Sequence, residues 1–211
     1  QNRLQEAEGY YKRAFEADPD RVDTPPYYAV LLEHQGRPGE AEEILRRTWE
    51  HNPDSARAIS QYAAFLARYD DPGRAEELYL RALDVNAADL YTRRRYGEFL
   101  WDYGRLGEAR EQFLAALDAH PRESSLLLRL ARLDIDLRYL DEADEQLNAY
   151  LEHNPESAEG RELAGQVQML KGFFADAETL FRQAFNQGGD TAARYFYLGH
   201  ALLGQGRKAE A

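Results

Sequence analysis

The chain has 211 residues, 44% of them hydrophobic and 12% aromatic, which is enough apolar material for a packed core and unlike a disordered segment. A formal charge of −12 argues against a general nucleic-acid binder, because gripping a phosphate backbone requires surplus Lys and Arg. Cysteine is absent, which excludes a disulfide framework, a thiolate nucleophile and a cysteine-ligated zinc site, and no apolar run approaches the ~18 residues of a membrane span.

No signal-peptide pattern opens the chain, but Gln1 suggests a missing N-terminus, so targeting is unreadable; the expectation is a soluble protein, cytoplasmic or periplasmic, without membrane insertion. The organising feature is a repeat. Alanine returns at Ala7, Ala41, Ala75, Ala109, Ala143, Ala177 and Ala211, every 34 residues, and Pro19, Pro53, Pro121 and Pro155 keep the same period. Ala87 and Gly189 stand where proline is missing.

In chain order, residues 1–21 supply a lone second helix ending at Pro19. Whole units then run 22–55, 56–89, 90–123, 124–157 and 158–191, and residues 192–211 supply a first helix and the start of a second. Each whole unit predicts two amphipathic helices. In the third, Tyr96, Phe99, Leu100 and Tyr103 recur at helical spacing before Gly104, and Ala109, Phe113, Ala116 and Leu117 after it. Gly36, Gly104, Gly172 and Gly206 fall between paired helices, where a positive φ ends the first helix at little steric cost. Asp54, Ser124 and Ser157 follow or adjoin the prolines and are expected to cap the helices that come next. Both ends cut through a unit and no polar cap is evident, so a fragment of a longer array is expected, with self-association through its ends as a possible consequence.

These residues resemble the tetratricopeptide repeat family, whose pattern wants small residues near repeat positions 8, 20 and 27, large apolar ones at 7, 11 and 24, and proline at 32. Position 8 is Ala29, Ala63, Gly97, Ala131, Gly165 and Gly199; position 24 is Tyr11, Leu45, Tyr79, Phe113, Leu147 and Phe181. The resemblance covers nearly the whole chain and implies an all-α, right-handed superhelical solenoid of antiparallel helix pairs. Two positions depart from it, and one of them, position 4, carries Pro25, Arg93 and Arg161. Position 11 is Leu32, Leu66, Leu100 and Leu202, but Asp134 and Gln168 in consecutive units, which predicts a rotated or locally opened helix pair that gives both groups partners or water.

No catalytic or metal chemistry emerges from the motifs, and no cofactor is expected. His51 and His153 share one repeat position beside prolines, His120 sits next to it, and all three read as turn residues. Gly204, Gln205 and Gly206 lack the preceding strand and the full glycine pattern of a dinucleotide loop. Glu42 and Glu43, Glu76 and Glu77, and Asp70 and Asp71 read as solvated helix faces, and neither a nucleophile elbow nor a phosphate loop is present. An enzyme is not expected in this segment.

In the resembling family, first helices line a concave groove that binds a peptide or protein. Mapped onto this chain, the groove holds Arg57, Gln61, Tyr91, Arg94, Arg95, Trp101, Arg129 and Arg132, a concentration of guanidinium within an acidic protein. Arginine grips carboxylates bidentately, and Tyr and Trp anchor interfaces, which suits a partner bearing acidic groups. The opposing reading is that Arg94 pairs with Glu98 and Arg132 with Asp136, each four residues along a helix. The lysines and asparagines of the family's carboxylate clamp are missing. Two functions are therefore expected to compete: a non-catalytic interaction scaffold, and a structural arm of a larger bacterial export or secretion assembly or the regulatory array of an enzyme.

Overall fold

The computed structural model describes residues 2–18, 21–69, 71–189 and 191–207; Pro19, Asp70 and Ala211 lie outside them. The described residues form twelve α-helices and no strand, in two compact units that divide the chain between Gly104 and Arg105. In the first unit, α1 (Asn2–Ala17) precedes two hairpins, α2 (Pro25–His34) with α3 (Pro38–His51) and α4 (Ala56–Arg68) with α5 (Pro72–Val85), and then α6 (Leu90–Asp102). In the second, α7 (Leu106–Ala119) precedes α8 (Ser124–Leu137) with α9 (Leu140–His153) and α10 (Ala158–Leu170) with α11 (Phe174–Gly188), and then α12 (Ala192–Gly204). Each hairpin packs on the next helix, so first helices become neighbours, as α4 does with α6.

The periodic alanines explain the close packing. Ala41, Ala75, Ala109, Ala143 and Ala177 are all fully buried, as small side chains at close helix approaches are. Larger side chains fill the space beside them. Gly165 leaves room for the ring of Phe181, since a Cβ on Gly165 would stand only 2.6 Å from that ring. Ala131 and Leu147 share one cluster in the preceding hairpin, a one-carbon gain opposite a smaller apolar group.

The turns follow from backbone geometry. Gly36, Gly104, Gly172 and Gly206 have φ between 74° and 87°, and at three of them the next amide reaches back five residues: Arg37 to Leu32, Phe173 to Gln168 and Arg207 to Leu202. This is the Schellman closure of a helix C-terminus. The α8–α9 hairpin makes the same closure, with Tyr139 donating to the Asp134 carbonyl at 2.8 Å, but places the exposed Arg138 at φ 65° in the position that Gly36, Gly172 and Gly206 hold in those three. A β-carbon in the left-handed region is strained. Arg138→Gly is therefore expected to raise stability by roughly 1 kcal/mol, read from urea denaturation; an unchanged midpoint would mean that the strain is offset in the unfolded chain.

The caps depart from expectation at two helices. Ser157 accepts from the Gly160 amide as anticipated, but α4 is capped by Ser55 rather than Asp54, because Ser55 is the residue in extended backbone next to the helix. Ser124 lies inside α8, whose N-cap is Glu123 with no side-chain capping bond. Asp89 and Thr191 cap α6 and α12.

Candidate peptide-binding surface

Thr92 and Ser60 set the relation of α4 to α6. Both are fully buried, and their hydroxyls approach to 2.5 Å. Asp89 caps α6 and also accepts from the Thr92 hydroxyl at 2.7 Å, so the start of α6 is fixed against the middle of α4.

One residue before Thr92, the half-buried Tyr91 ring is approached by three guanidinium groups: Arg57 from α4 at 5.2 Å, and Arg95 and Arg94 from α6 at 5.4 and 5.8 Å. Arg57 also lies 3.3 Å from Asp23, where both groups are well exposed and the pairing is weak. Arg95 donates to Glu98 at 3.1 Å. Burial works against the Arg95 charge, but Tyr91 and Glu98 hold its pKa above the ordinary guanidinium value. The Nε atoms of Arg94 and Arg95 are buried without a hydrogen-bond partner, as is Oε1 of Gln61, which follows Arg57 by one turn on the same face of α4. Gln61 is only 5% exposed, deeper than its groove position implied.

Between the C-terminal halves of α4 and α6 lies an open concavity of about 470 Å³. Ala64 and Ala67 leave the space, Arg68 and Arg95 border it, and Phe99 and Tyr79 line it. Arg68 is held by Glu33 at 2.7 Å. The sequence reading did not single out Arg68, and it placed Tyr79 only among the large residues of repeat position 24.

Thus Arg57, Gln61, Tyr91, Arg94 and Arg95 come together in the first unit, with the half-buried Trp101 further along α6. Arg129 and Arg132 belong to α8 in the second unit, where Arg132 donates to Glu159 at 2.6 Å. The expected local pairings shift accordingly: Glu98 is taken by Arg95 three residues away, and Arg132 reaches the next first helix. The paired carboxylates differ too. Glu42 accepts from Tyr62 at 2.9 Å and Glu76 from Tyr96 at 2.8 Å, so one acid of each of these two pairs ties a second helix to the first helix of the next repeat.

In the second unit, Asp134 stays fully buried without any opening of its hairpin. Arg110 donates to it from two nitrogens, at 2.6 and 3.3 Å, and Gln146 donates at 2.7 Å. Gln168, half-buried one unit later, donates to Asp144, which Lys171 also holds at 3.0 Å.

Among the described residues no helix is long and apolar enough to cross a membrane, and no group of three or more His, Asp and Glu side chains is placed to hold a metal ion. Comparison with curated proteins by sequence returned no match. Solved structures share the fold: PilF of Pseudomonas aeruginosa, with a TM-score of 0.72 and 20% identity over 90% of this chain and 87% of that one; PilW, a type IV pilus biogenesis factor, with 0.74 and 18% over 90% and 89%; and YrrB, a repeat protein with an unusual peptide-binding site, with 0.66 and 17% over 88% and 96%. Models of the tetratricopeptide repeat match residues 1–69 on the one hand and 70–124 and 128–184 on the other, and with nearly the whole chain so covered, it belongs to the tetratricopeptide repeat family.

Proposed function

We propose that the first unit binds an extended peptide segment bearing carboxylates across α4 and α6. In general the family's fold supports a protein-interaction scaffold, and its members bind peptides or proteins. The observation that carries the finer reading is the gathering of Arg57, Arg94 and Arg95 around Tyr91, with the Nε donors of Arg94 and Arg95 unpartnered. Buried donors without acceptors are costly in a free protein, and a carboxylate supplies the acceptors.

The test is fluorescence anisotropy with a labelled dodecapeptide of glutamates in a Gly-Ser background. Arg57→Glu combined with Arg94→Glu is expected to weaken binding at least about tenfold, and affinity should fall with salt, because exposed ion pairs are screened over ~10 Å at 0.1 M. The melting temperature should stay the same, since neither side chain belongs to the core. A lowered melting temperature with unchanged affinity would instead assign these arginines to Asp23 and Glu98.

A second reading, a structural component of a bacterial envelope assembly, draws on the fold shared with PilF and PilW over nearly the full length of each. Capture of envelope proteins by the array, undiminished by the same double reversal, would favour it.

A further inference from the structure

Tyr79 occupies a repeat position that Tyr11 shares and that Leu45, Phe113, Leu147 and Phe181 fill in the other units. Packing there requires only an apolar body, so its hydroxyl is an addition. The ring lies 5.4 Å from that of Tyr96 and 5.6 Å from that of Phe99, and the residue is 2% exposed. Tyr62 and Tyr96 spend their hydroxyls on Glu42 and Glu76, whereas the Tyr79 hydroxyl has no hydrogen-bond partner among the described residues. What Tyr79 lines is the concavity between α4 and α6. Burial, and after it the neighbouring Tyr91, pushes its phenol well above the ordinary value, so it remains an O–H donor. Arg95, on the same concavity, has one nitrogen on Glu98 and a buried Nε with nothing to donate to. Tyr79 and Arg95 thus line one open space, each with a donor that nothing among the described residues accepts.

We propose that this concavity is a subsite for a single carboxylate side chain of the bound peptide, with the Tyr79 hydroxyl and the Nε edge of Arg95 as its donors. The proposal rests on the peptide-binding reading of this surface and adds the residue that selects the ligand group. An apolar side chain would desolvate both donors without pairing them. A lysine or arginine would face Arg95 and Arg68. Glu98 and Asp102 also border the space and disfavour a doubly charged phosphate more strongly than a single carboxylate.

The decisive variant is Tyr79→Phe, which retains the ring and matches Phe113 and Phe181. Its binding is measured with the same glutamate dodecapeptide and with a counterpart carrying glutamine at every glutamate. The wild type should prefer the glutamate probe; Tyr79→Phe should weaken that probe about tenfold, the worth of a hydrogen bond to a charged group, and change the glutamine probe much less. The melting temperature of the unbound variant should be unchanged or higher, because the lost hydroxyl had no partner. Wild-type affinity in Tyr79→Phe overturns the subsite, while the reading of Arg57 and Arg94 survives if their double reversal still abolishes binding. A lowered melting temperature also overturns it, by assigning the hydroxyl a structural partner. Equal or absent binding of the two probes by the wild type overturns both.

Discussion

Replacing Arg110 by methionine is expected to destabilise the second unit by about 3–5 kcal/mol, because it strips Asp134 of two of its three hydrogen bonds while leaving the carboxylate fully buried. Methionine keeps much of the length that packs over the Tyr139 ring, so the loss reports mainly the uncompensated charge. The control follows from the repeat. Leu32, Leu66, Leu100 and Leu202 fill the position of Asp134 in other units, which shows that the site accepts an apolar side chain of that size. Changing Asp134 alone would strand Arg110 and leave Gln146, whose Oε1 is already buried without a partner, with no acceptor for its amide either. The informative comparison is therefore Arg110→Met with Asp134→Leu and Gln146→Leu, which is expected to recover the native stability or exceed it by about 1–4 kcal/mol. Urea denaturation of the single and triple variants decides the matter. If Arg110→Met costs less than about 1 kcal/mol, water reaches Asp134 and the network contributes little.

Phe181→Ala is expected to cost about 3–5 kcal/mol, because the ring is fully buried, stacks 5.6 Å from Tyr197 and abuts Gly165, so its removal opens a cavity between α10, α11 and α12. Size matching across the hairpin makes this more than a general core effect. Gly165→Ala on its own should be net destabilising, by roughly 1–3 kcal/mol of overpacking, although alanine is the better helix former by about 1 kcal/mol. Adding Phe181→Leu converts the pair into the combination already present at Ala131 and Leu147, and should return most of that loss. Thermal unfolding of the two single variants and the double reads the coupling. Strict additivity would mean that Gly165 and Phe181 do not share a contact whose size matters.

The repeat itself, the helix pairs and their turns were legible in the sequence because they depend on local chemistry recurring at a fixed interval. Alanine every 34 residues requires a close approach at the same height in each unit, and glycine at 36, 104, 172 and 206 requires the left-handed backbone that the turns adopt. Arg57, Tyr91, Arg94 and Arg95 were legible through the family resemblance, whose first-helix groove positions they occupy, and not through the repeat interval itself. What only the tertiary structure decided is which groups meet. Arg110 reaches Asp134 across 24 positions, Tyr96 reaches Glu76 across 20, and Ser60 reaches Thr92 across 32. Such pairings depend on rotamers and on the height at which one helix crosses another, neither of which a repeat interval specifies. Tyr79 marks the boundary between the two: its ring was predictable as one more large core residue, whereas its place on a concavity shared with Arg95 exists only once α4, α5 and α6 have packed.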